Sequence, residues 1–101
     1  MVTYEVTALV APDLFHDYEQ FMREDHIPAV LATGCFQRSA FTRADPGRYR
    51  MRYEAPSSQD LERYLDRHAP ALREDFAARF PEGVTLSREV WVVLQGWDPP
   101  L

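Results

Sequence analysis

A chain of 101 residues, 46% hydrophobic and 13% aromatic, has room for one small core and lies far from the composition of a disordered segment. Sixteen acidic residues against eleven basic ones leave a net charge of −5, which argues against a phosphate backbone, and hence a nucleic acid, as the main partner. Every basic residue is arginine, so Schiff-base chemistry of the pyridoxal-phosphate or aldolase kind and a P-loop are both excluded.

From Val2 to Val10 the pattern alternates. Val2, Tyr4, Val6, Ala8 and Val10 fall on one side and Thr3, Glu5, Thr7 and Leu9 on the other, a strand with one apolar face. Pro12 and Asp13 mark a helix start, after which Leu14, Phe15, Tyr18, Phe21 and Met22 recur at helical spacing. Proline disfavours the α region for the residue before it. This helix is therefore expected to break or kink around His26 and Ile27, with Ala29 to Ala32 as a last turn and Gly34 as the stop.

Cys35 to Arg43 reads as a second strand of mixed pattern and Arg48 to Ala55 as a third, joined by Asp45-Pro46-Gly47 turn chemistry into a hairpin. In the third strand Tyr49, Met51, Tyr53 and Ala55 face one way, and Arg48, Arg50, Arg52 and Glu54 the other. Ser57 or Ser58 caps a second helix with Asp60 and Glu62 in its first turn. Its stripe is Leu61, Leu65, His68, Leu72, Phe76 and Phe80, and Pro70 should disturb it. Pro81-Glu82-Gly83 turns into a last strand, Val84 to Leu94, with Leu86, Val90, Val92 and Leu94 on one face and Thr85, Ser87, Glu89, Trp91 and Val93 on the other.

The order βαββαβ predicts an α+β, ferredoxin-like fold: one domain over residues 1–95 with a short tail at 96–101, and two helices on one face of a four-stranded antiparallel sheet. A weak internal repeat agrees, Glu-Gln-Phe-Met before His26-Ile27-Pro28-Ala29 resembling Glu-Arg-Tyr-Leu before His68-Ala69-Pro70-Ala71. The uncovered sheet face then carries Glu5, Thr7, Gln37, Ser39, Arg50, Arg52, Glu54, Ser87, Glu89 and Trp91, together with Leu9, Phe41 and Val93. Either water covers this face, as antiparallel sheets permit, or two such faces close on each other in a dimer around a partly polar lumen. One cysteine cannot make an internal disulfide, and no stretch is long and apolar enough for a membrane span or a signal peptide, so a cytoplasmic location with no membrane partner is expected.

Three runs carry a resemblance: Asp25-His26-Ile27-Pro28 with Ala32-Thr33-Gly34-Cys35-Phe36, then Tyr53-Glu54-Ala55-Pro56-Ser57, then Ser87-Arg88-Glu89-Val90-Trp91. Over nearly its whole length the chain resembles an uncharacterised family of short dimeric α+β barrel proteins, a domain of unknown function. The resemblance implies the fold and a homodimer with sheets packed face to face. The wider superfamily is similar in architecture to antibiotic-biosynthesis monooxygenases, muconolactone isomerases, aromatic polyketide cyclases and stress-responsive barrels. Those activities differ, so membership transfers no reaction.

His26, beside Glu24 and Asp25 where the first helix is disturbed, is the candidate catalytic residue, an acid–base imidazole whose pKa a carboxylate would raise. The structural alternative has it capping carbonyls freed by Pro28. His68 reads as a core or boundary histidine on its helix stripe, and Cys35 as a buried small hydrophobe rather than a nucleophile. His16, His26, Cys35 and His68 lack zinc-ligand spacing, so no metal or other cofactor is expected. Glu5, Arg52, Glu54 and Trp91 on the uncovered face are the candidate ligand-binding residues. The expected activity is therefore that of a homodimer binding a small organic metabolite, between sheet and helices or in the barrel lumen, with cofactor-free isomerase, cyclase or monooxygenase chemistry. The competing reading is a non-enzymatic structural or interaction dimer with a filled lumen, and a third is a haem or metal binder.

Overall fold

Five alternate residues of one strand seed the core. In β1 (Val2–Val10), Val2, Tyr4, Val6, Ala8 and Val10 are all buried, as their period of two requires. The computed structural model describes residues 1–101 and places β1 between β3 (Arg48–Ala55) and β4 (Val84–Val92), both antiparallel to it, with β2 (Arg38–Arg43) outside β3. The sheet order β2-β3-β1-β4, with helical segments after β1 and after β3, is the ferredoxin-like βαββαβ arrangement that the patterning predicts.

A 3-10 turn at Pro12–Leu14 leads into α1 (Phe15–Phe21), and the chain then departs from expectation. Pro28 does not break the helix. Met22–His26 forms a π-helical turn that runs straight into α2 (Ile27–Ala32), and Ile27 keeps helical angles, φ −62° and ψ −44°. The N–H of Ile27 donates to the carbonyl of Met22, five residues back. The wider turn draws the helical carbonyls away from the proline ring, and Pro28 has no N–H to satisfy, so the clash that normally kinks a helix is relieved. Gly34, at φ +77°, ends the segment.

Pro70 acts differently. His68 leaves helical space at φ −121° and ψ −40°, dividing the second helix into α3 (Ser58–Arg67) and α4 (Ala69–Arg79). The division changes the phase of the apolar stripe. Leu61 and Tyr64 are buried in α3 and Ala69 and Phe76 in α4, while Leu65, His68 and Leu72 are only half-buried.

Two strand limits also differ from the sequence reading. β2 begins at Arg38 rather than Cys35: Cys35 and Phe36 are both buried, and the first link to β3 is the Gln37 N–H to the Glu54 carbonyl, 2.9 Å. Its register sets Ser39 opposite Tyr53 and Phe41 opposite Met51, which turns Ser39 and Phe41 toward the helices instead of the uncovered face. β4 ends at Val92 rather than Leu94, since β1 starts at Val2 and the last link is Val93 N–H to the Met1 carbonyl, 3.0 Å. Val90 and Val92 stay exposed on the helix side of this strand, beyond the reach of the helices.

The core is unusually aromatic. Tyr4 stacks on Phe36 and Tyr53, with centroids 6.4 and 6.2 Å apart, and Tyr64 closes that group edge-on to Phe36 at 4.8 Å. Tyr18, fully buried, gathers Tyr49 at 4.9 Å, Phe41 at 6.1 Å, Phe80 at 5.9 Å and Phe76 at 6.3 Å.

Candidate functional site

Between sheet and helices lies a cavity of about 190 Å³. Alternate residues of three strands form its floor: Tyr4 and Val6, Met51 and Tyr53, Leu86 and Arg88. Its roof is Met22 and His26, from the two ends of the π turn, with Tyr64 of α3 and Leu72, Arg73, Phe76 and Ala77 of α4. Residues four apart share one face of a helical turn, and Met22 and His26, at its two ends, both reach the cavity.

His26 is half-buried, its ring centroid 5.9 Å from that of Phe21 and 5.6 Å from that of Phe76, which lies steeply inclined to it. Its side chain makes no capping hydrogen bond, so the capping role does not hold. Burial lowers its pKa below the ordinary histidine value; Asp75 opposes that shift and Arg88 adds to it. The carboxylate that bears on His26 is therefore Asp75 of α4, and not the adjacent Glu24 or Asp25, which project into solvent. At neutral pH the imidazole is uncharged and can accept a proton.

Three phenols surround the same space. Tyr4 accepts a hydrogen bond from Arg73 at 3.1 Å. Tyr53 and Tyr64 contribute hydroxyls with no partner inside the fold, although no buried polar atom is orphaned, so both open onto the cavity. Burial pushes the Tyr64 phenol up to about 12, with the positive charges of Arg73 and Arg88 pulling the other way, and burial raises Tyr53 further. These groups stay protonated and act as hydrogen-bond donors. A proton acceptor, two donors and two cations thus frame an otherwise apolar chamber, the equipment for removing a proton from an aromatic or enolic ligand and steadying the resulting anion.

The other sequence candidates lie across the sheet. Glu5 and Trp91 border an open depression of about 360 Å³ with Thr7, Arg50 and Glu89. Arg52 and Glu54 are on the same face but outside it. Glu54 pairs with Arg38 at 3.5 Å and Arg52 at 4.0 Å, and Glu5 with Arg50 at 3.6 Å. The sheet separates all four from His26, so one small ligand cannot touch both sets. Cys35 is fully buried, its thiol near the Thr33 carbonyl at 3.9 Å, and no three His, Cys, Asp or Glu side chains converge anywhere. Sequence reasoning missed Tyr53, Tyr64, Arg73, Phe76 and Arg88 as cavity residues. For Arg88 a signal existed: it shares parity with Leu86 and Val90, an arginine on the face expected to be apolar.

A ferredoxin-like α+β sheet with an aromatic chamber beneath its helices defines the class. The chain belongs to the family described as a domain of unknown function, DUF4286, whose model matches residues 1–94. No curated protein matches the sequence. Among solved structures it is similar to a MhuD point mutant with two manganese protoporphyrin IX bound per active site, at TM-score 0.74 and 17% identity over 98% of this chain and 100% of that one. SnoaB, a cofactor-independent oxygenase from Streptomyces nogalater, matches at TM-score 0.68 and 19% identity over 94% of each chain. A dimeric ferredoxin-like protein from an uncultured marine organism matches at TM-score 0.66 and 13% identity over 98% of this chain and 100% of the other. The likeness establishes the fold alone, the ferredoxin-like α+β sheet. No helix is long and apolar enough to cross a membrane.

Proposed function

We propose that this protein binds a small planar organic molecule in the chamber between sheet and helices, and that His26 acts there as the acid–base group of a cofactor-free oxygenation, isomerisation or cyclisation. One observation carries the reading: an aromatic-walled cavity with a neutral imidazole on its wall. The oxygenase named among the similar folds supports the reaction class, because a reaction without a cofactor needs a substrate whose own anion supplies the electrons. At about 190 Å³ the chamber falls below the roughly 300–1,000 Å³ of most ligand sites, so it suits one or two fused rings and not a tetrapyrrole. The uncovered sheet face, with Glu5, Arg52, Glu54 and Trp91, is assigned to a second copy of the chain. The buried unpaired thiol of Cys35 suits the reducing cytoplasm.

The test is fluorescence titration with 1-naphthol, followed by oxygen uptake with 1,4-dihydroxynaphthalene. Saturable binding is expected, abolished when Leu72→Trp fills the chamber. His26→Gln should keep the binding and lose uptake above background. No saturable binding by the folded wild type sinks the proposal, and a haemin titration producing a bound Soret band would replace it with a tetrapyrrole site.

A further inference from the structure

Seven of the eleven arginines sit in ion pairs with carboxylates. An eighth, Arg79, lies over the Phe80 ring, 4.8 Å from its centroid. The two that line the chamber, Arg73 and Arg88, have no carboxylate partner in a chain with an excess of acids. Arg73 is held by the neutral Tyr4 hydroxyl alone, at 3.1 Å, and Arg88 makes no side-chain hydrogen bond or ion pair within the fold. Both are largely solvent-exposed residues whose side chains reach the cavity wall, which puts their charge at its mouth and leaves the interior to rings and aliphatic carbons.

We infer that the chamber selects ligands bearing a carboxylate on an aromatic body, the rings inserted among Tyr4, Tyr53, Tyr64 and Phe76 and the carboxylate left at the mouth between Arg73 and Arg88. This rests on the chamber being the ligand site, and it adds the ligand's charge and orientation. Guanidinium matches a carboxylate with two parallel N–H donors, a geometry a neutral amide or phenol cannot use in full. The interior has no cation of its own, so the charged end faces outward. A ligand seated this way turns the far edge of its ring system toward the protein interior.

The experiment compares two isosteres, 2-naphthoate and 2-naphthamide, by calorimetric titration of the full chain. The carboxylate should bind on the order of tenfold more tightly, the difference expected when a charged hydrogen-bonded pair replaces a neutral one. Arg88→Ala and Arg73→Ala should each shrink that ratio toward unity, with the larger loss falling on naphthoate. Arg88→Lys should recover part of it, since charge returns without the fork. Equal affinities of the wild type for both compounds overturn the inference and leave the chamber itself standing. Failure of both compounds to bind removes the chamber as a ligand site, and the inference with it. A carboxylate preference that survives in both alanine variants also overturns it, by placing the anion contact elsewhere.

Discussion

The imidazole of His26 and the ring of Phe76 meet in a T-shaped pair with centroids 5.6 Å apart, and burial outweighs the carboxylate of Asp75 in setting the imidazole's pKa. Burial lowers its pKa, and the unfolded chain therefore binds a proton that the folded chain refuses. Between the unfolded histidine value and the lower folded one, stability must fall as pH falls. The contribution is complete above the unfolded pKa and is lost as pH drops through the folded one. Urea denaturation from about pH 7.5 to about pH 5 should show wild type losing more stability than His26→Gln over that interval. The imidazole resonance, followed by NMR, should titrate below the ordinary histidine midpoint. Parallel pH profiles for the two proteins would contradict the burial of this ring.

Glycine tolerance should divide along geometry. Gly47 turns the β2–β3 hairpin at φ +87°, and a Cβ there would meet the Val10 carbonyl at 2.8 Å and the Phe15 ring at 3.0 Å. Gly34 has a similar φ of +77° and nothing within 4 Å. Gly34→Ala pays for conformation alone, about 1 kcal/mol, whereas Gly47→Ala adds a clash with backbone and should lose about 3 kcal/mol. Thermal unfolding of the two variants side by side measures the difference, and equal losses would show that the hairpin shifts freely.

Ser57 opens α3 by accepting from the Asp60 N–H at 3.2 Å while donating to the Asp60 carboxylate at 2.8 Å. Ser57→Ala removes both bonds and should lose about 1 kcal/mol, with Ser58→Ala as the silent control because Ser58 is already inside the helix. Chemical denaturation decides between them.

How much of this was readable beforehand varies by element. β1 and β3 each bury one face along their full length, Thr3 being the one buried residue of β1's other face, and the bounds of both were legible to the residue. β2 was not, since an edge strand with Ser39 and Phe41 facing the core carries no clean period, and its register comes from the hairpin turn. The two prolines show where local rules stop. Pro28 and Pro70 have the same intrinsic effect, yet one is absorbed in a π turn and the other splits its helix, a difference that the residue type alone does not carry. His26 was visible as a candidate from its position. Its real neighbours, Phe76, Asp75 and Arg88, come from other elements and needed the fold to be assembled.

The uncovered sheet face leads to the last prediction. Leu9 and Trp91 are more than half exposed there, and Thr3, directly opposite Trp91, is fully covered in the single chain. Ion pairs already hold Glu5 with Arg50 and Glu54 with Arg38, which neutralises charge that would otherwise resist burial against a partner. A face with large apolar side chains and internally paired charges is suited to a second copy of itself. Sedimentation equilibrium at micromolar concentration should give twice the chain mass. Trp91→Arg places an unpaired charge in that contact and should shift the protein to single subunits with its circular dichroism unchanged. A wild type that sediments as one subunit would leave this face to solvent and exclude a ligand chamber between facing sheets, while the chamber beneath the helices, formed within one chain, would remain.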